Sequence, residues 1–247
     1  MIRKINGEFI KLRHLHLFAI VIGIDLLAVT LGALLYFQNK KVFASFHTQW
    51  LALWSESGLF YAQIFLPLLL ALMVAVVIRC EKEQHNFSRM AVVPLKASQL
   101  ILRKFSTLAL LTAAGVAVFI FAFYCIGFAG RFPINRTIGS FLWWGTLGWI
   151  GTFPILGIQF WLSIRLKNFT TPIIFALGLS LANFILLTIS QALVRLYPYA
   201  QIMIGLHARS YEDLSLLQVI LFLGIVTIFC GGSLIFSVAT LKRQGFE

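Results

Sequence analysis

Few residues of this chain have a type and spacing that could support chemistry. His14 and His16 are two residues apart and would point to different sides of a helix. The remaining histidines and the cysteines are scattered along the chain: His47, His85, His207, Cys80, Cys125 and Cys230. A structural zinc site needs closely spaced ligands of this kind. The sequence also has no His-Glu-x-x-His pair and no Gly-x-x-x-x-Gly-Lys-Ser/Thr loop, so it lacks the signatures of a zinc hydrolase and of an ATP-binding P-loop.

Asp25 differs from the other ionisable residues because it lies in the middle of a long apolar run. A lone charge at that depth of a membrane helix costs about 2.5–3.5 kcal/mol on insertion scales, and such a residue usually faces the interior of a bundle. Two interpretations stay open. In the first, Asp25 has a functional role, either on the path of a substrate or in coupling. In the second, it is a structural carboxylate. In the second case it is protonated, or bonded to Asn183, a Ser or Thr, or a Trp indole N–H.

The composition indicates an integral membrane protein. Of the 247 residues, 60% are hydrophobic and 11% are charged, and the mean hydropathy is +0.92. Soluble domains have ~45–50% and ~25% respectively. Because ~20 apolar residues cross a bilayer as a helix, six spans are predicted at 17–37, 59–78, 105–129, 138–164, 171–194 and 216–240. We therefore expect an all-α membrane protein whose residues 1–247 form a single six-helix domain.

The distribution of basic residues predicts the orientation of the six spans. With the N-terminus inside, 14 Lys and Arg residues fall in cytoplasmic segments and 6 in outer loops. This bias places both termini in the cytoplasm. It also explains the net charge of +12 through contact with membrane lipids, without any nucleic-acid partner.

Three segments outside the spans have helical patterns. In residues 1–16, apolar side chains recur every three or four positions opposite basic ones, which predicts a helix lying in the inner membrane interface. Residues 79–104 are rich in charge and include a helical stretch that ends at Pro94. That stretch is either a solvated loop or a short helix that docks a soluble partner. Phe43, Phe46, Trp50 and Trp54 predict an amphipathic helix on the outer leaflet, serving as an anchor or, less simply, in ligand recognition.

These patterns resemble the permease subunits of ABC-2 type ATP-binding-cassette transporters. Glu8-Phe-Ile-Lys11-Leu-Arg13 is similar to the family's Glu-x-x-Lys-Leu-Lys/Arg pattern on an interfacial connecting helix. The stretch from Glu81 through Asn86-Phe87 to Pro94, with Lys104 beyond, is similar to the coupling-helix region between helices 2 and 3. Within the family, the chain most resembles lantibiotic and bacteriocin immunity permeases.

The resemblance implies a function as well as a fold. The chain would be the membrane subunit of an exporter that expels a lantibiotic or similar amphipathic peptide from a bacterial plasma membrane. It would work with a cytoplasmic ATPase dimer, which binds the ATP and Mg²⁺, and with a second, related or identical permease. The chain itself would bind no cofactor. We expect the ATPase-coupling residues to be Glu81, Glu83, His85, Asn86, Phe87, Arg89 and Pro94.

Three alternatives remain at this point. Another ABC-2 exporter would carry a drug, lipid, ion or glycan. An intramembrane enzyme would need a nucleophile beside a base, and five of the six predicted spans contain no ionisable partner of that kind. A membrane scaffold or sensor would bind partners without transport.

Overall fold

The computed structural model describes residues 16–44, 48–83, 96–134, 136–209 and 213–243, and every regular element in these ranges is helical. The α-helices are α1 (Leu17–Gln38), α2 (Lys40–Ala44), α3 (Gln49–Phe60), α4 (Leu66–Glu83), α5 (Ala97–Ala129), α6 (Ser140–Ile150), α7 (Phe153–Arg165), α8 (Thr170–Ile189), α9 (Gln191–Leu196), α10 (Gln201–Gly205) and α11 (Leu216–Arg243). A π-helical turn (Tyr61–Phe65) joins α3 to α4. Turns of 3₁₀-helix occupy Arg136–Gly139 and Pro198–Ala200.

These helices form six segments that are long and apolar enough to cross a membrane, which confirms the predicted six-helix fold. Span 1 is α1, span 2 runs from α3 through the π-helical turn to α4, and span 3 is α5. Span 4 is α6 with α7, span 5 is α8 and span 6 is α11. We use "inner end" for the end of the bundle that carries Glu81, following the orientation predicted from the Lys and Arg distribution.

Spans 2 and 3 are longer than predicted. Span 2 covers Gln49–Lys82 with 34 residues, and span 3 covers Ala97–Ala129 with 33. At 1.5 Å per residue each is about 50 Å long, which exceeds the ~30 Å hydrocarbon layer. Span 2 therefore extends beyond the predicted segment at its outer end, and span 3 does so at its inner end.

The outer extension of span 2 corrects the predicted surface helix. Trp50 and Trp54 are 1% and 0% exposed, so they lie inside the bundle and not on the outer leaflet. Phe43 belongs to α2, and Phe46 lies outside the described residues. The helical spacing of large aromatics was correctly recognised, but that spacing is the same whether the aromatic stripe faces lipid or neighbouring helices.

An aromatic cluster holds the outer end together. The Trp54 ring lies 5.0 Å from the rings of both Phe123 and Phe141, between their centroids. Its indole Nε1 donates a 2.7 Å hydrogen bond to the Leu206 carbonyl. Gly127 of span 3 lies directly under the Trp50 ring, where any side chain would collide with it. Edge-to-face contacts of this kind and a satisfied indole N–H stabilise packing where burial from water contributes little.

Span 4 is interrupted, and the segment between spans 5 and 6 packs against the interruption. α6 ends at Ile150 and α7 begins at Phe153, with Pro154 in its first turn. The backbone of Gln201 packs against Gly151. A Cβ atom added to Gly151 would be only 2.5 Å from the backbone carbonyl oxygen of Gln201. The short helices between spans 5 and 6 lie inside the bundle, where Ala200, Ile202 and Leu206 are fully buried.

Candidate functional site

A buried ion pair joins the inner ends of spans 2 and 3. Glu81 Oε1 lies 2.7 Å from Lys104 Nζ, and each residue is 2% exposed. Two charges so removed from water persist because each compensates the other at hydrogen-bond distance. Glu81 was predicted as an ATPase-coupling residue; within the chain its charge is compensated by Lys104, and its part in coupling stays a prediction.

Lys82 connects span 2 to the end of span 4. Its Nζ donates hydrogen bonds to the carbonyl oxygens of Ser163, Ile164 and Leu166, at 2.7, 3.1 and 2.9 Å. The last carbonyls of a helix have no partner within the helix and carry a partial negative charge. One ammonium group therefore caps α7 and holds it beside span 2.

Arg79 completes a set of three contacts at this position. Its guanidinium lies 5.1 Å from the centre of the Phe169 ring, a distance typical of a cation–π contact. Phe169 immediately precedes span 5. Arg79, Glu81 and Lys82, which we call the span 2 clamp, thus connect the inner end of span 2 to spans 3, 4 and 5.

The other predicted coupling residues directly follow this clamp. Glu83 is the last residue of α4. His85, Asn86, Phe87, Arg89 and Pro94 lie outside the described residues, as do Glu8, Lys11 and Arg13 of the predicted connecting helix. The span 2 clamp therefore ends where the predicted coupling segment begins.

Asp25 is fully buried between spans 1, 2 and 3. Its carboxylate packs on Gly115 of span 3, where an added Cβ would lie 2.6 Å from Asp25 Oδ2. Tyr61 of the π-helical turn is also fully buried and lies near this carboxylate. Asn183, one of the partners considered from the sequence, instead donates a 2.8 Å hydrogen bond to Gln63 Oε1.

A polar network surrounds the π-helical turn of span 2. The Ser180 hydroxyl of span 5 donates to the backbone carbonyl of Gln63. The Gln63 amide in turn lies 3.0 Å from the sulfur of Met203. A π-helical turn leaves backbone groups without regular helical partners, and neighbouring side chains satisfy them inside a membrane. Spans 2 and 5 and the buried segment before span 6 therefore meet at this turn.

A cavity of about 480 Å³ opens at the outer end between spans 5 and 6. His207 is one of its lining residues, and its ring stacks on Trp144 with 4.8 Å between centroids. Burial lowers the pKa of His207, although the Gly205 carbonyl and the Asp213 carboxylate favour its charged form. Trp144 Nε1 donates to Asp213 at 2.7 Å, so these contacts fix the loop that leads into span 6.

The family comparison identifies the class of protein to which this arrangement belongs. The model of the family described as ABC-2 family transporter protein matches residues 4–183. This range contains spans 1 to 4 and most of span 5. The chain belongs to the ABC-2 family of transporter proteins. No curated protein gives a significant match.

Membership in the ABC-2 family assigns the broad role of the chain. An ABC-2 transporter protein is a multi-pass membrane component of an ABC transporter, works with a separate ATPase subunit and is not itself the catalytic domain. It binds no cofactor of its own. Among the described residues there is also no group of three or more His, Cys, Asp or Glu that could hold a metal ion.

Sequence reasoning missed the structural part that Lys82 and Lys104 play in this ABC-2 protein. The sequence pattern indicates Lys82 only as a positive charge of the cytoplasmic segment, and Lys104 as that and as part of the resemblance to the coupling-helix region. A usable signal was present, because Glu81 and Lys104 flank the segment between two consecutive spans, one at the end of the first and one near the start of the second. Antiparallel neighbours bring such flanking positions together at the same membrane depth.

We predict that Lys104→Met lowers the free energy of unfolding by about 3–5 kcal/mol, because it leaves a buried carboxylate without its counter-charge. The double variant Glu81→Gln/Lys104→Met should recover most of this loss, since neither charge remains. Unfolding of the purified chain by SDS titration in detergent micelles measures both values. Lys96→Met, at an exposed position, is the control and should change little. Equal losses for Lys96→Met and Lys104→Met would contradict the buried pair.

Gly115→Ala should destabilise the bundle by about 1–3 kcal/mol through overpacking, because its Cβ would meet Asp25 and Val21 at 2.6 and 2.7 Å. The matched control Gly178→Ala has no atom within 4 Å and should be neutral or slightly stabilising. Asp25→Ala removes one of the two collisions, so Asp25→Ala and Gly115→Ala should show a coupling energy of about 0.5–3 kcal/mol in a double-mutant cycle. Strictly additive effects on unfolding would show that the two residues do not touch.

Proposed function

We propose that the chain is the permease subunit of an ATP-driven exporter in a bacterial plasma membrane. Membership in the ABC-2 family supports the permease role. The proposed cargo is an amphipathic antimicrobial peptide of the lantibiotic type, expelled outward as self-protection. The resemblance of residues 81–94 to the coupling region of immunity permeases supports this cargo. Drugs, lipids, ions or glycans are the alternative cargoes of an ABC-2 exporter.

The observation that carries this proposal is the position of the span 2 clamp. Its three side chains lie within a single turn of α4 and reach spans 3, 4 and 5. Glu83 and the segment that follows it, residues 84–95, are proposed to dock on the ATPase through Glu83, His85, Asn86, Phe87, Arg89 and Pro94. A push on this segment would then move the inner ends of four spans together, as in rigid-body switching of packed elements.

Glu81 has a different role in this proposal from its neighbours. It does not touch the ATPase but positions the docking segment by fixing the end of span 2. Glu8, Lys11 and Arg13 are proposed to lie on a connecting helix along the inner interface, with their charges toward lipid head groups and the ATPase. The orientation with both termini inside follows from the Lys and Arg bias.

A second permease is proposed to pair with the exposed apolar faces of the bundle. Ile174 of span 5 and Ile228 of span 6 are 63% and 70% exposed. In a membrane such faces contact lipid or another helix bundle. An ATPase dimer has two docking sites, so two permeases would enclose the export path between them.

Affinity purification of the tagged chain from its native cells tests the coupling proposal. We expect a soluble ATPase with Walker motifs to co-purify. Glu83→Ala/Arg89→Ala should reduce its yield about tenfold, because two charged contacts at the docking site are lost. Lys40→Ala/Lys41→Ala removes two exposed charges at the opposite end of the bundle and should leave the yield unchanged. An unaltered yield for the first variant would contradict docking at residues 84–95.

A resistance assay tests the cargo. A lantibiotic-sensitive bacterium that produces the permease with its co-purifying ATPase should survive at several-fold higher lantibiotic concentrations. An ATPase whose Walker lysine is replaced should abolish the protection, because export requires ATP hydrolysis on that subunit. Sensitivity equal to that of the empty strain, with the complex present in the membrane, would reject a lantibiotic cargo and leave the other ABC-2 cargoes.

A further inference from the structure

The cavity at the outer end, between spans 5 and 6, has the size and lining of a ligand site. Its volume of about 480 Å³ is within the range for small-ligand sites. Leu187 of α8 and Leu221 and Phe222 of α11 belong to its apolar wall. Its polar part is lined by residues between the end of α8 and the start of α11: Arg195, Gln201, His207, Arg209 and Asp213.

Side chains of both signs of charge line this cavity. Arg195, Arg209 and Asp213 are all exposed. Asp213 Oδ1 accepts a hydrogen bond from Trp144 Nε1. A carboxylate has room for about four hydrogen bonds, so Asp213 can bind a cation while it holds Trp144. The cavity is therefore suited to a ligand that carries an anionic group and a cationic group.

Two buried residues of the lining add hydrogen-bond acceptors. The Gln201 amide nitrogen donates to the carbonyl oxygens of Arg195 and Tyr197, at 2.8 and 2.9 Å, so its Oε1 is an acceptor. His207 Nδ1 lies 2.9 Å from the Gly205 carbonyl oxygen. A carbonyl only accepts, so Nδ1 carries the proton and Nε2 of the neutral ring is an acceptor. Within the described part of the chain neither Oε1 nor Nε2 has a hydrogen-bond partner, and their lone pairs favour a cation nearby.

The surroundings of the cavity indicate that the ligand comes from the bilayer. Ile189 at the end of α8 and Leu217 at the start of α11 are 64% and 76% exposed. In a membrane such side chains contact lipid acyl chains. A phospholipid against these faces would have its headgroup where the two spans end, at the depth of the polar part of the cavity.

We propose that this cavity binds the phosphoethanolamine headgroup of a phosphatidylethanolamine lipid in the leaflet at the outer end. Arg195 and Arg209 bind the phosphate, because guanidinium groups pair closely with phosphate oxygens. Asp213 binds the ammonium, whose three N–H groups donate hydrogen bonds. The quaternary ammonium of phosphatidylcholine has the same charge but no N–H to donate. This inference goes beyond the proposed export function and does not depend on the cargo or on the ATPase.

The test uses the full chain, purified in detergent and freed of lipid. Dioleoylphosphatidylethanolamine, dioleoylphosphatidylcholine or glycerophosphoethanolamine, the same headgroup without acyl chains, is added, and native mass spectrometry measures the affinity of each. We expect phosphatidylethanolamine to bind about tenfold more tightly than phosphatidylcholine, because only its ammonium donates charge-assisted hydrogen bonds. It should also raise the thermal unfolding midpoint, as a ligand of the folded state does. Glycerophosphoethanolamine should bind much more weakly, because it makes no contact with the apolar wall.

Two variants separate the two halves of the headgroup. Asp213→Asn keeps an oxygen for the Trp144 indole but removes the counter-charge of the ammonium, so the preference for phosphatidylethanolamine should fall to about twofold. Arg195→Gln/Arg209→Gln should weaken the binding of both lipids about tenfold, because both lipids contain the phosphate. The matched control Lys40→Gln/Lys41→Gln removes two exposed charges of α2, also at the outer end, and should bind both lipids like the wild type.

Four results would overturn the proposal. Equal affinities of the wild type for the two lipids would show that the cavity does not recognise the ammonium. An unchanged preference in Asp213→Asn, or wild-type affinity in Arg195→Gln/Arg209→Gln, would show that the headgroup binds elsewhere. Glycerophosphoethanolamine binding as tightly as the lipid would show that the ligand comes from solution. A lantibiotic peptide whose binding is weakened by these variants, with lipid binding unaffected, would assign the cavity to the cargo. A preference for phosphatidylethanolamine that depends on Asp213 supports the proposal.

Discussion

The structure depends on the pairing of buried charges at the inner end of a hydrophobic bundle. Glu81 and Lys104 are almost fully removed from water, and such charges are stable only as a pair in contact. This requirement fixes the register of spans 2 and 3 at one point. Lys82 adds a second fixed point, because the last carbonyls of α7 need a partner that the bilayer does not provide. The inner end of α4 is therefore held at two points.

The same principle explains the middle and the outer end of the bundle. In the π-helical turn of span 2, Ser180 donates to the carbonyl of Gln63, whose α-helical partner four residues on would be Pro67, which has no N–H. Where span 4 is interrupted, Gly151 lets the buried segment before span 6 approach closely. Trp54 satisfies its indole N–H on the carbonyl of Leu206. These hydrogen bonds connect span 2 to its neighbours at its middle and at its outer end.

Much of the fold could be predicted from the sequence, because an apolar run of about 20 residues has few alternatives to a membrane helix. The buried position of Asp25 follows from the same cost of exposing a charge to lipid. The buried position of Trp50 and Trp54 could not be predicted, because the helical spacing of aromatic residues does not show whether they face lipid or protein. The burial of Glu81 could not be predicted, because its partner lies 23 positions away and a charge-rich segment looks solvent-exposed when that pairing is unknown.

We propose that the inner ends of spans 2, 3, 4 and 5 move as one body when the ATPase acts. Spin labels on Leu102 of span 3 and Arg165 of span 4, both exposed, report this directly through their distance by double electron–electron resonance. In the complex with the ATPase, ATP binding should leave this distance unchanged, while the distance between the Arg165 labels of the two proposed permeases should change. A change of the distance between Leu102 and Arg165 within one chain would contradict the account.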